Sequence, residues 1–181
     1  MSLPPWAEVT AARRGHIERV ASLLDQWGTA MAVPPAQKDR WLRAAWLHDA
    51  LRDAALGDLM AHGPAAADRA AAAGEHDRGV LDAVRYHTIG YAGWDDVGRM
   101  LYLADFLEPG RDFDPDGRRA LAARAPKEPD AVLREVARRR IEWVVRSGWQ
   151  LLPETVAFWN HLVGRADPKG LPDGRGRTGG P

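Results

Sequence analysis

Residues 34–49 read PPAQKDRWLRAAWLHD: a Pro pair, then Trp41, Leu42, Ala45, Trp46 and Leu47 at helical spacing, then His48 and Asp49. A Pro pair suits a helix start, so the stretch predicts an amphipathic helix that carries two adjacent polar groups to its inner end. Working outward, apolar residues recur at the same spacing almost everywhere and no window alternates in the manner of a strand, which sets the fold class as all-α. Towards the N-terminus a helix is expected from Ala11 to Trp27, with Ile17, Val20, Ala21 and Leu24 on its buried face, His16 at the border and Gly28 as its stop. Towards the C-terminus an Ala-rich helix starts near Pro64 and breaks at Gly74, and Val80, Leu81, Val84 and His87 mark another before Gly90. Asp95 reads as the N-cap of a helix that carries Val97, Met100, Leu101, Ala104, Asp105 and Leu107 up to Pro109-Gly110. A long helix from Pro129 to Ser147 buries Val132, Leu133, Val136, Ile141, Val144 and Val145, and Pro153 starts the last one.

The chain has 181 residues, 25 Lys plus Arg, 25 Asp plus Glu and 45% hydrophobic residues, enough for one sizeable core. Residues 1–163 are expected to form a single helical-bundle domain, and residues 164–181, rich in Gly and Pro, a disordered, flexible tail. A net charge of zero argues against nucleic acid or an anionic membrane as partner, so phosphate recognition has to be local. The absence of Cys excludes disulfides, thiolate metal sites and a cysteine nucleophile. No secretory signal and no apolar run of spanning length is present, which predicts a cytoplasmic location.

Six side chains demand explanation: His16, His48, Asp49, His62, His87 and Asp105 lie on helices or at their ends, interleaved with apolar positions. Each would cost a few kcal/mol if buried unpaired, and a metal centre satisfies all six at once, since imidazole and carboxylate are natural ligands of iron, manganese or zinc. Arg13 and Arg52 share helical faces with His16 and Asp49 and are candidates for phosphate contact, with Asp53 orienting Arg52.

The order His, His-Asp, His, His, Asp, with Arg85-Tyr86-His87-Thr88, His62-Gly63-Pro64 and the run Ala104-Asp105-Phe106-Leu107-Glu108-Pro109-Gly110-Arg111, resembles the HD-domain metal phosphohydrolases. Within them it resembles the YqeK-type symmetrical bis(5'-nucleosyl)-tetraphosphatases, from about Arg13 to Asn160. The resemblance implies hydrolysis of diadenosine tetraphosphate to two ADP by a metal-bound hydroxide. It assigns a divalent metal, iron first, with manganese, cobalt and zinc as alternatives, to His16, His48, Asp49 and Asp105. His62 and His87 would face the phosphates or complete a second metal site, and Asp49, His62 and His87 are the expected catalytic residues. The substrate-binding set is Arg13, His16, Asp49, Arg52, Asp53, His62, His87, Asp105, Arg111, Leu152 and Pro153. Arg52 stands where the family has Lys, which keeps the charge but not a ready proton donor. Glu108 is expected to brace Arg111, and the segment Leu151 to Thr155 to lie near a nucleoside, without the His that often precedes its Pro in the family.

Other signals read as structural. Trp27, Trp41, Trp46, Trp143 and Trp159 are expected in packing, Arg138-Arg139-Arg140 in exposed pairs with Glu135 and Glu142, and His76 and His161 outside the site. Competing functions are an HD-type phosphohydrolase of another nucleotide, a non-catalytic module that senses ADP and metal, and a purely helical interaction protein. Helix faces bearing Trp could also be shared in a homodimer.

Overall fold

The computed structural model describes residues 1–164, so the expected tail lies outside the described residues except for Gly164, which closes the last helix. Eight helices are present and no strand among these residues: α1 (Ala11–Ala30), α2 (Pro35–Leu47), α3 (His62–Ala72), α4 (Arg78–Tyr86), α5 (Asp96–Leu107), α6 (Pro115–Arg124), α7 (Pro129–Arg146) and α8 (Pro153–Gly164). The all-α expectation holds. None of these helices is long and apolar enough to cross a membrane.

The bundle is organised around α5. Val97, Met100, Leu101, Tyr102, Leu103, Ala104 and Leu107 are buried on every side of it, and it packs against α1, α2, α4, α6 and α7. A helix apolar all round belongs at the centre of a bundle, and this one holds Asp105 near its C-terminal end. Polar caps set where the helices begin: Thr10, Asp77 and Asp95 accept backbone N–H groups of Arg13, of Gly79 and Val80, and of Val97. Arg40 of α2 then bonds two of these caps at once, Asp77 at 2.6 and 2.9 Å and Asp95 at 2.7 Å, so one guanidinium fixes the starts of α4 and α5 relative to α2.

Two boundaries and one whole helix differ from the sequence reading. Gly28 does not stop α1, which runs on to Ala30; a Cβ at Gly28 would lie 2.7 Å from Cδ of Lys38, so the residue is small because the start of α2 crosses there. α3 begins at His62 rather than near Pro64, and its Gly63 meets the backbone of α4, where a Cβ would lie 2.8 Å from the Arg85 carbonyl oxygen. α6 was not anticipated, because Pro115–Arg124 is rich in charge and buries only Arg118 and Leu121. Its Arg118 donates to the carbonyls of Phe106 at 2.9 Å, Arg111 at 3.0 Å and Glu108, and so pins the turn after α5.

α7 is half a core helix. Val132, Leu133, Val136 and Ala137 are buried, whereas Val145, expected inside, is exposed, as is Trp143. Trp27 and Trp41 are buried as expected, and Trp46 and Trp159 pack at the edge of the core.

The Arg40 cluster generates a pH prediction. Its guanidinium holds the Asp77 carboxyl at about 2, below its ordinary 3.8, so the stability this pair contributes is complete above pH ~4 and is lost as pH falls from there through about 2. Arg40→Met should cost about 1–2 kcal/mol at pH 7 and flatten the loss of stability between pH ~4 and ~2, measured by urea unfolding across that range. Parallel curves for wild type and variant would remove Arg40 from this role.

Candidate metal centre

Five helices deliver the six polar side chains to one buried volume. His16 comes from α1, His48 from the C-cap of α2 with Asp49 directly after it, His62 from the first position of α3, His87 from the C-cap of α4 and Asp105 from α5. All six are buried. The close approach at Gly63 is what brings α3 near enough to α4 for His62 and His87 to meet.

The four imidazoles are oriented alike. His48 Nδ1 lies 2.7 Å from the Ala45 carbonyl, His87 Nδ1 2.7 Å from that of Val84, and His62 Nδ1 2.8 Å from that of Leu59. A carbonyl only accepts, so Nδ1 of His48 and of His87 carries the proton and Nε2 presents its lone pair inward, whereas His62 Nδ1 lies between the Leu59 carbonyl and the Arg52 Nη1 donor at 3.0 Å. His16 follows the same rule with a carboxylate, its Nδ1 lying 3.1 Å from Glu108 Oε1. The four Nε2 atoms then crowd together: His16 and His48 at 3.3 Å, His62 and His87 at 3.1 Å. The Thr88 hydroxyl, 3.2 Å from His87 Nε2 and 3.4 Å from His62 Nε2, has one proton and cannot satisfy them all.

Asp49 divides this cluster in two. Its Oδ2 faces His16 Nε2 at 3.6 Å and His48 Nε2 at 3.7 Å, and its Oδ1 faces His62 Nε2 at 3.5 Å and His87 Nε2 at 3.3 Å. The triads His16, His48, Asp49 and Asp49, His62, His87 each present donor atoms close enough to hold one ion, with Asp49 common to both. Asp105 Oδ1 lies 3.2 Å from His16 Nε2, beside the first triad. Converging, buried lone pairs without proton donors are costly, and a divalent cation is the group that relieves them, so the donor set fits a metal of nitrogen and oxygen preference.

The electrostatics agree with that fit. Burial pushes His48 and His62 down to about 4, in His62 with help from neighbouring His87, so both rings are neutral ligands at pH 7. Burial also lowers His16, but Asp105 and Glu108 on its two sides outweigh it and favour positive charge at that spot. Burial alone would raise the Asp105 carboxyl; Arg140 and His16 hold it well below the ordinary range.

Arginines surround the carboxylates. Arg13 Nη1 bonds Asp49 Oδ2 at 2.7 Å, and Arg111 Nη2 bonds Asp105 Oδ1 at 2.7 Å. Glu108 does more than brace Arg111: its nearest partners are Arg19 at 2.6 Å, the Gly110 N–H at 2.7 Å and His16, with Arg111 Nε at 3.7 Å. The Arg138 to Arg140 run splits. Arg138 and Arg139 pair with Glu135, as expected, but Arg140 turns inward, bonds Asp105 Oδ2 at 2.7 Å and covers the Tyr102 ring at 4.3 Å. Sequence reading missed it because the neighbouring acids account for all three arginines; only its spacing from Val136 and Ala137 on the buried face of α7 hinted otherwise. The Nε atoms of Arg13, Arg111 and Arg140 are buried without a hydrogen-bond partner, three unspent donors around one cluster.

Other expected residues sit further out. Arg52 donates to the Leu59 carbonyl at 2.8 Å, so Arg52 braces the approach to α3. Asp53 accepts from the N–H and hydroxyl of Thr10, both at 2.8 Å, and faces Arg13 rather than Arg52. Leu152 and Pro153 lie at the start of α8 and make no polar contact with the cluster, although Thr155 Oγ1 donates to the Ile89 carbonyl at 2.9 Å, two residues from His87. His76 is exposed and His161 half-buried.

Comparison with known proteins matches residues 13–110 to the HD domain family. Two curated relatives are each named symmetrical bis(5'-nucleosyl)-tetraphosphatase. The Bacillus subtilis protein is 30% identical over 50% of this chain and 48% of its own length, and that of Halalkalibacterium halodurans 27% identical over 59% and 57%. The chain thus spans about half the length of the curated relatives it matches. A solved structure described as a predicted HD superfamily hydrolase involved in NAD metabolism, from Clostridium acetobutylicum, superposes with a TM-score of 0.76 over 87% of this chain and 92% of that one; at 23% identity it speaks for the fold. The match covers more than half of the chain and spans all six clustered side chains, and this chain belongs to the HD domain family.

Proposed function

We propose that this chain cleaves a dinucleoside tetraphosphate at its centre, diadenosine tetraphosphate yielding two ADP. The observation that carries the reading is the buried donor set in which each Asp49 oxygen faces two imidazole Nε2 atoms. His16, His48, Asp49 and Asp105 would hold the first ion; His62 and His87, with the other Asp49 oxygen, would hold a second or face the phosphates. Bound there, a divalent metal supplies Lewis acidity, drawing the pKa of water towards neutrality and neutralising phosphoryl charge. Iron suits the nitrogen and oxygen donors, and manganese, cobalt and zinc are accepted by the same set. The names of the two curated relatives support the choice of a tetraphosphate and of symmetrical products.

The protein's own groups supply binding and orientation. The guanidinium groups of Arg13, Arg111 and Arg140 suit phosphate oxygens, since each is already held by its carboxylate and has little rotamer freedom left to lose. Glu108 fixes the His16 ring through Nδ1 and raises the basicity of Nε2, and Arg140 fixes Asp105. Thr88 places a hydroxyl between His62 and His87, where it can hold a phosphoryl oxygen or a water.

The protein loaded anaerobically with iron or manganese should convert diadenosine tetraphosphate to two ADP and lose this activity to a chelator. Release of ATP with AMP, or no turnover, would overturn the reading in favour of another nucleotide substrate or a non-catalytic ADP- and metal-binding module. Asp49→Ala and Asp105→Ala should abolish turnover with helical circular dichroism retained; rates within about tenfold of wild type in either would remove that residue from the metal set. Glu108→Gln should weaken manganese binding about 10–100-fold in a direct metal titration, and an unchanged titration would leave Glu108 a packing role only.

A further inference from the structure

A cavity of about 610 Å³ opens beside Asp105, between the turn that follows α5 and the outer half of α7. Its inner wall is Asp105, Arg111 and Arg140, and its outer wall includes Phe113, Trp143 and Arg146. Trp143 is 56% exposed and Phe113 52%, although both are large apolar groups in a chain that buries Trp27, Trp41 and Trp94. Both are nevertheless held. The Arg118 guanidinium covers the Phe113 ring at 4.8 Å and Phe106 meets it at 5.6 Å, while Trp149 packs against Trp143 with ring centres 4.9 Å apart. Two ordered aromatic rings facing a cavity, with their surface left to water, are a stacking platform without its partner.

The charge along the cavity has an order. Arg140, bonded to Asp105, Trp143 and Arg146 follow one another at three-residue steps along α7, so the aromatic group sits roughly 4.5 Å and the outer arginine roughly 9 Å along the axis from the metal-centre end. Arg146 makes no salt bridge among the described residues, and the one acidic group beyond Asp105, Glu142, is neutralised by Arg138. A second, smaller cavity of about 210 Å³ lies over His16 with Arg13, Arg19 and Arg111 in its wall, and Arg111 lines both. Phosphate-binding donors are therefore concentrated where the two cavities meet, and aromatic surface is confined to the larger one.

We propose that the larger cavity seats one nucleoside end of the substrate, its purine stacked on Trp143 and Phe113 and its phosphates directed inward to Arg111 and Arg140. This rests on the nucleotide-hydrolase reading above and adds to it the surface that recognises the base. A volume of this size suits a nucleoside, and the smaller cavity suits phosphates alone. Trp143 and Phe113 make the site sensitive to the presence of an aromatic base, while hydrogen-bond readout of its edge is left to other groups.

The test compares ADP with inorganic pyrophosphate on the manganese-loaded protein by isothermal titration. In Trp143→Ala the Kd for ADP should rise about tenfold, while that for pyrophosphate stays within about twofold. Trp143→Phe should restore most of the ADP affinity, and Phe113→Ala should move it in the same direction as Trp143→Ala. An ADP affinity unchanged by Trp143→Ala, or ADP and pyrophosphate weakened equally, would overturn the proposal; so would a Trp143→Ala protein that loses only self-association. Failure of the two readings is distinguishable. If diadenosine tetraphosphate is not turned over but the ADP and pyrophosphate affinities split as stated, the reaction falls and the nucleoside seat stands; two ADP with a flat Trp143→Ala titration gives the reverse.

Discussion

The arrangement of the bundle turns on one constraint: four imidazoles are each held at Nδ1 by a fixed polar partner and so point Nε2 at Asp49. Three of the partners are carbonyls three residues back in the chain, at the ends or approaches of helices, where carbonyl groups have no partner within the helix. The ends of α2 and α4 thus serve two purposes at once, for the rings of His48 and His87 satisfy orphan carbonyls and those carbonyls set the tautomers of the rings. The inward crowding this creates opposes folding by itself, and a cation converts it into a favourable term.

Around that centre the chain places compensating charge in closed pairs. Asp49, Asp105 and Glu108 are held by Arg13, by Arg111 and Arg140, and by Arg19, so each carboxylate in the cluster has a guanidinium partner. Burying so many ions is costly, and the arrangement is better understood as orientation than as stabilisation. Arg118 extends the same logic to the backbone: α6 contributes little to the core, but its guanidinium fixes three carbonyls of the turn that carries Glu108 and Arg111.

Much of this was legible in the sequence because the signals were local. Proline starts, Asp95 as a cap, and 3.6-residue periodicity placed most of the helices, and the isolated polar groups His16, His48, Asp49, His62, His87 and Asp105 stood out against apolar neighbours. What escaped depended on contacts distant in the chain. Arg140 sits between two arginines that behave as ordinary surface charges, and only the crossing of α7 over Asp105 separates it from them. Gly28 looks like a stop until α2 is seen to cross it, and α6 lacks an apolar face because its task is to present one buried arginine. Trp143 fails in the opposite sense: periodicity puts it inside, but α7 outlasts the core it packs on.

A chain with zero net charge can still bind a tetraphosphate if its cations are already paired on one side and open on the other. Arg13 and Arg111 come nearest to this condition: each is bonded to a carboxylate through one terminal nitrogen and keeps part of its side chain accessible. A carboxylate partner lowers the long-range attraction of a guanidinium for polyanions, so binding depends on an acceptor that enters the site. On the proposed reading selectivity would rest on reach: the phosphates would lie over the cluster, and what carries them would fit the space beside Trp143 and Phe113.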